Sequence, residues 1–337
     1  MMFFYRFLGV LFITFYFFSC GTNSENKSDN EMPKAIVHSN LDSLDLSDTL
    51  NEQLYEEADN LAYEEAYDKA LALFKIPFIE QEVKTKFGNA HVIICGPKNG
   101  EPLVLLHGMN ASSTMWYPNI KSYSKYYRVY AIDYFLEPGK SQYIGKTSNT
   151  NEIIDWYFEI FDQLQLKKFN LLGASRGGWL SVNIALRAGS RINKLILLSP
   201  AQTFGIIKPG FDIFSNVGYS VIPKRKKLRG ILETMSSNVD GMSQIFINQY
   251  FMATKKASID ANVIKMQPFF GKELKSLKMP ILVLIGDRDI INGGLNLTRA
   301  KRLCANVDTG TISNAGHFLS MDQSDIVDKR VIEFLRK

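Results

Sequence analysis

Gly173-Ala174-Ser175-Arg176-Gly177 spells G-x-S-x-G, preceded by the apolar run Phe169–Leu172 and followed from Gly178 by a helix-like segment. A serine at a sharp strand-to-helix turn is placed to act as a nucleophile. The turn strains its backbone, and small residues two places before and two after it relieve the crowding. The hydroxyl is thereby pushed out at the C-terminal end of a sheet, beside a helix N-terminus. Such a serine needs a base, and the chain has four histidines: His38, His91, His107 and His317. His38 lies in a polar N-terminal stretch and His91 opens an apolar run. His107 follows the strand-like run Leu103–Leu106 directly and reads as a structural hydrogen bonder on the oxyanion side. His317, in Asn314-Ala315-Gly316-His317-Phe318, lies late in the chain between a last strand and a last helix, where a base is expected. An acid must accept the histidine Nδ1–H and fix its tautomer. Gly286-Asp287-Arg288-Asp289, after the run Ile281–Ile285, offers Asp287 and Asp289. The turn His107-Gly108-Met109 can supply one backbone N–H to an oxyanion, and the residue after the serine, Arg176, the other. Together these groups suit acyl transfer through a covalent serine intermediate.

These residues need a sheet to hold them. Apolar, β-branched runs occur at His91–Cys95, Leu103–Leu106, Val129–Ile132, Phe169–Leu172, Lys194–Leu198 and Ile281–Ile285, with a weaker one at Thr309–Ile312. Near-continuous apolar runs suit strands buried on both faces, as in parallel sheets. Helical segments alternate with them, at about Ser113–Lys125, Asn151–Gln165, Gly177–Ala188, Gly294–Cys304 and Gln323–Arg336. This alternation predicts an α/β fold with a mostly parallel, doubly wound sheet of about eight strands. It lapses between about 202 and 272, which reads as a helical cap insertion. From Asp48, apolar residues including Leu61, Tyr63, Ala66, Tyr67, Ala70, Leu71 and Phe74 recur at helical spacing, with acids on the other face. They predict an amphipathic helix docked on the core, so the folded domain is expected over 48–337.

The N-terminus reads differently. Arg6 is the only charge in residues 1–18, and Phe7–Phe18 is an apolar run of signal-peptide length. Ser19-Cys20-Gly21 follows and resembles a bacterial lipobox, which predicts removal of residues 1–19 and a lipid on Cys20. Residues 20–47, opening GTNSENKSDNE after the cysteine, are too polar to pack and read as a flexible tether. The expected location is the bacterial cell envelope, as a membrane-anchored lipoprotein, with secretion as the alternative.

Of the 337 residues, 46% are hydrophobic and 22% charged, which excludes disorder over most of the chain. A net charge of +5, from 39 bases interleaved with 34 acids, implies no nucleic-acid partner. Three cysteines make no disulfide framework, and no Cys/His cluster has zinc-ligand spacing. Cys95, Cys304 and Trp116 read as core, and Asp133, with Gly139 and Ser141, as a hydrogen-bond node. Lys224-Arg225-Lys226-Lys227 with Arg229 reads as a solvated helix end, with contact to anionic lipid headgroups as the alternative.

HVIICGP (91–97), PLVLLHGMNASSTMWYPNI (102–120), LLGASRGGW (171–179), LILLSPAQTF (195–204), PILVLIGDRDII (280–291) and NAGHFLSM (314–321) together resemble the α/β-hydrolase-fold serine esterases, in particular the bacterial carboxylesterase Nap group. The likeness runs over about residues 60–337. It implies a serine carboxylesterase with no cofactor or metal, acting on a small-molecule ester. The acid of that family ends its G-x-x-D, which here is Asp289. The implied catalytic residues are Ser175, Asp289 and His317, with the backbone N–H groups of Met109 and Arg176 as oxyanion hole. An amidase or peptidase of the same fold is the alternative, as is a catalytically silent binding lipoprotein. An iminopeptidase would need acids in the insertion to hold a substrate ammonium, and 202–272 offers few, Asp212, Glu233, Asp240 and Asp260, among many bases. A serine at the turn excludes the aspartate-nucleophile chemistry of dehalogenases and epoxide hydrolases of this fold.

Overall fold

A computed structural model describes residues 63–145, 149–207, 209–256 and 266–337. The signal segment, Cys20, the tether and the first part of the lead-in helix lie outside the described residues. The chain enters through helix α1 (Tyr63–Leu71), which buries Tyr63, Ala66, Tyr67, Ala70 and Leu71 on the stripe expected of it. Eight strands then form one sheet: β1 (Phe78–Thr85), β2 (Gly88–Cys95), β3 (Glu101–Leu106), β4 (Tyr127–Ile132), β5 (Phe169–Ala174), β6 (Ile192–Leu198), β7 (Ile281–Gly286) and β8 (Val307–Ile312). Their order is β1-β2-β4-β3-β5-β6-β7-β8, antiparallel at β1/β2 and β2/β4 and parallel from β4 onward. This is the α/β-hydrolase fold.

Side chains alternate across the pleat, so each central strand feeds two cores. Val104, Leu106, Leu171, Val283 and Ile285 pack on one face, with α2 (Thr150–Gln163) and α3 (Arg176–Ala188). Leu103, Leu105, Leu172, Leu282 and Leu284 pack on the other, with α1 and the C-terminal helix Ser324–Arg336. Burial on both sides explains why these strands read as unbroken apolar runs. A capping box starts α2: the Asn149 side chain accepts from Glu152 N at 3.1 Å, and Glu152 accepts from Asn149 N at 3.1 Å.

The sequence and the structure part in two places. The helix expected over Ser113–Lys125 is a 3₁₀ turn at Ser113–Trp116 and a single turn at Ile120–Tyr123. Pro118, between them, has no amide hydrogen to continue a ladder. Strand β1 was not among the expected runs, because Val83 is its only buried residue. Between β6 and β7, the described residues form α4 (Phe211–Val221), α5 (Arg225–Met235), α6 (Gln244–Lys256) and a short turn at Gly271–Ser276, with no strand. After β7 come α7 (Leu295–Leu303), β8 and α8 (Ser324–Arg336).

Candidate active site

Strand β5 ends at Ala174 and α3 begins at Arg176, leaving Ser175 alone at the corner. Its φ of 51° and ψ of −116° lie outside the ordinary wells for a residue with a side chain. Hydrogen bonds hold it there. Its N–H donates to Leu198 O at 2.9 Å, and its carbonyl accepts from the N–H groups of Gly178, at 3.0 Å, and Ala201, at 3.2 Å. The flanking glycines are steric requirements. A Cβ on Gly173 would fall on the Gly177 carbonyl, and one on Gly177 on the carbonyls of Leu106 and His107.

Ser175 Oγ lies 2.8 Å from His317 Nε2, and His317 Nδ1 lies 3.0 Å from Asp289 Oδ1. The three groups come from the end of β5, the loop after β7 and the loop after β8. The imidazole and the Asp289 carboxylate are shielded from solvent, at 3% and 0% side-chain exposure. Asp289 also accepts from the N–H of Ile291 at 2.8 Å and from the Asn292 side chain at 2.8 Å. Burial opposes its charge, but the His317 imidazole and the Asn292 amide outweigh that and hold its carboxyl below the usual carboxylate range.

Asp287, the other acid weighed for this role, is turned elsewhere. It accepts the N–H groups of Asn314 and Ala315 at 3.1 Å each and so ties down the loop that carries His317. These backbone donors lower its pKa.

His107 bonds to the main chain through both nitrogens. Its Nε2 accepts from Tyr134 N–H at 2.8 Å, so Nδ1 carries the hydrogen and donates to Gly108 O at 2.8 Å. Burial holds its pKa below the ordinary histidine value, and the neutral ring anchors the turn Gly108-Met109. That turn abuts the nucleophile: a Cβ on Gly108 would stand 3.4 Å from Ser175 Cβ.

The reading of Asp133 as a node matches its contacts. It accepts from Tyr67 Oη at 2.8 Å, Ser113 N at 2.8 Å and Lys140 N at 2.9 Å, and meets His91 Nδ1 at 3.1 Å. Burial works against its charge, yet His91 and these donors push its pKa well down. Trp116, Cys95 and Cys304 are buried, and burial pushes the two thiols up to about 12 and about 11. Among the described residues, no three or more His, Cys, Asp or Glu gather as metal ligands, and no helix is long and apolar enough to cross a membrane.

Sequence reasoning missed three groups. Glu137 is buried, forms an ion pair with the Arg176 guanidinium and accepts Asn110 N–H at 2.9 Å. It thus links the residue after Met109 to the side chain of the residue after Ser175. Asn292 holds Asp289 and in turn accepts from Asn296 at 2.8 Å. Asp322 accepts Gly316 N–H at 2.7 Å, Ser237 N–H at 2.9 Å and the Ser236 hydroxyl. It fastens the His317 loop to the end of α5, as does Phe318 N–H donating to Met235 O at 3.0 Å. Only Asn292, three residues after Asp289, had a local signal in its Asx-type spacing.

The family described as the alpha/beta hydrolase fold matches residues 101–220. With the likenesses that follow, which cover about four fifths of it, the chain belongs to the α/β hydrolases. The uncharacterized carboxylesterase Nap of Bacillus subtilis is 32% identical over 285 residues, covering 81% of this chain and 92% of that one. The carboxylesterase YbfK of the same organism is 29% identical, covering 82% and 94%. Among solved structures, naproxen esterase from B. subtilis superposes with a TM-score of 0.76 at 32% identity, over 81% of this chain and 96% of that one.

Proposed function

We propose that this chain is a carboxylic ester hydrolase working through an acyl-enzyme on Ser175. Ser175 Oγ attacks the ester carbonyl while His317 Nε2 takes its proton. The oxyanion of the tetrahedral intermediate rests on the backbone N–H groups of Met109 and Arg176. Collapse breaks the C–O bond, and His317 returns the proton to the departing alcohol. The same nitrogen then activates water, which hydrolyses the acyl-serine and releases the acid. Asp289 holds the ring with Nδ1 protonated and balances the imidazolium charge. The reading rests above all on the unbroken chain from Ser175 Oγ to His317 at 2.8 Å and on to Asp289 at 3.0 Å. Its test is Ser175→Ala assayed on p-nitrophenyl esters of graded acyl length. A loss of about a millionfold in kcat is expected, with circular dichroism unchanged. Retention of more than a few per cent of activity, after removal of host esterases, rules the assignment out.

The N-terminal segment adds a location to this reading. Cys20 becomes the lipid-bearing N-terminus after removal of residues 1–19, and residues 20–47 tether the hydrolase to the bacterial envelope. Support comes from the sequence alone: an apolar run, then Ser19-Cys20-Gly21, then a polar spacer.

A further inference from the structure

Helix α4 turns an apolar stripe to solvent. Phe214, Val217 and Val221, at helical spacings of three and four, are 66%, 58% and 54% exposed, and Ile222 just beyond is 62% exposed. A single such residue is ordinary, but a contiguous row on one helix face marks an interaction surface. A Cβ at Gly218, on the same face, would meet no atom within 4 Å. The opposite face of α4 buries Tyr219.

Beside the stripe runs a groove between α4 and α5, lined by Gly218 and Ile222 and by Lys224, Lys226 and Lys227. The other bases of this run are already engaged. Arg225 donates to Asn248 at 2.9 Å and stacks on Phe251, and Arg229 pairs with Glu233 and Asp240. Among the described residues, no carboxylate lies within ion-pair distance of the three lysines, and Asp212 is the one carboxylate lining the groove. Their position runs against helix electrostatics. Lys224 occupies the N-cap position of α5 without a capping hydrogen bond, and Lys226 and Lys227 sit in its first turn, where a helix favours acids; no acid is there. Helix stability is given up for a concentration of positive potential, to which the N-terminal amides of α5 add.

An apolar stripe edged by unmatched lysines is complementary to an anionic lipid surface: apolar side chains enter the acyl boundary and ammonium groups meet phosphates. We propose that the α4–α5 face docks on an anionic bilayer. Phe214, Val217, Val221 and Ile222 enter the acyl boundary, and Lys224, Lys226 and Lys227 hold headgroup phosphates. The inner side of α4 reaches the turn on the oxyanion side, where Ser220 Oγ accepts from Asn110 Nδ2 at 3.5 Å, one residue from Met109. Docking therefore sets the candidate active site close to the bilayer. The docking itself is independent of the hydrolytic reading; the corollary, that membrane-borne acyl esters are substrates, rests on it.

The test uses the full chain in a Ser175→Ala background, bound to vesicles of equal parts phosphatidylcholine and phosphatidylglycerol with brominated acyl chains. Phe214→Trp places a fluorophore on the stripe. The three native tryptophans, Trp116, Trp156 and Trp179, are all buried, so they contribute little quenching, and the chain retaining Phe214 is the control that subtracts it. A lipid anchor alone does not bring position 214 into the acyl region, so bromine quenching reports the face and not the attachment. Quenching above the control is expected, with loss in phosphatidylcholine alone. The docking equilibrium should weaken on the order of fivefold for each of Lys224→Gln, Lys226→Gln and Lys227→Gln. Quenching equal to the control, or unmoved by removing the lysines or the anionic lipid, overturns the proposal. So does a stripe that pairs two copies of the chain and is not quenched. A chain that docks as expected while the Ser175 form cleaves no ester sinks the hydrolase reading and leaves the docking face standing.

Discussion

The strand ends that carry Ser175 and Asp289 and the helices inserted between β6 and β7 treat polar groups in opposite ways. At the strand ends the three side chains of the reaction are matched. The Asp289 carboxylate takes two backbone donors, an asparagine amide and an imidazole. The strained serine is held through both its N–H and its carbonyl. On α4 and α5, apolar side chains face water and three lysines form no ion pair with a carboxylate among the described residues. Acyl transfer needs atoms fixed before the substrate arrives, because preorganised dipoles cost nothing at the moment of reaction. Recognition needs groups whose partners are still to come. One fold serves both needs by placing the first on a sheet and the second on an insertion.

After loss of the nucleophile itself, the largest effect expected from breaking this division lies at the acid. Asp289→Asn should lower kcat by about four orders of magnitude, since an amide favours the wrong histidine tautomer. Asp287→Asn should cost far less, because its carboxylate holds a loop and touches neither the imidazole nor Ser175. Kinetics of the two variants side by side would check this, and a crippled Asp287→Asn with a healthy Asp289→Asn would reassign the acid.

A smaller effect belongs to the joint between the regions. Asp322→Ala strips the acceptor from Gly316 N–H, Ser237 N–H and the Ser236 hydroxyl, all at or near the His317 loop. Buried donors left unpaired cost about 1–3 kcal/mol each, less whatever water recovers. A thermal midpoint several degrees lower is expected, with kcat down about tenfold. Calorimetry and soluble-ester kinetics measure the two; kcat unchanged beside a lowered midpoint would mean that the cap does not steady the base.

The smallest effect on catalysis is expected at Asp328 on α8, where matching is incomplete. Its carboxylate accepts from Asn119 Nδ2 at 2.8 Å, and burial pushes its pKa up to about 6. The unfolded value is about 4. Between these values the native state holds a proton that the unfolded chain has lost, so stability falls as pH rises from about 4 and the full cost stands above about 6. Asp328→Asn removes that cost, at most about 3 kcal/mol, and so should raise the thermal midpoint more at pH 8 than at pH 5. Melting curves across that range test it, and an equal shift at both pH values would mean that the carboxyl does not titrate there.

The legible parts of the molecule were those with local signatures. The parallel strands announced themselves because both faces are buried, and Ser175 because its turn demands glycines on either side. His317 followed from its place between the last strand and the last helix. The choice of Asp289 over Asp287 needed the family likeness, since two aspartates a residue apart carry the same local signal. Glu137 and Asp322 left no trace, because Glu137 and most of the contacts of Asp322 reach residues far along the chain and neither belongs to a periodic pattern. Pro118 was legible as a helix breaker, and the expected helix over Ser113–Lys125 ran through it all the same.

Strand β1 has a bearing on the behaviour of the protein in concentrated solution. A sheet whose outermost strand were apolar and unpaired would offer a template to the same strand of another molecule. At one edge of this sheet the outermost strand, β1, reads FIEQEVKT, and Glu80, Gln81, Glu82 and Lys84 all face solvent. A second copy laid against it antiparallel or parallel would have to strip water from those charges before gaining any hydrogen bond. The composition that hid β1 from a search for apolar runs is thus what stops the sheet from growing past it at this edge.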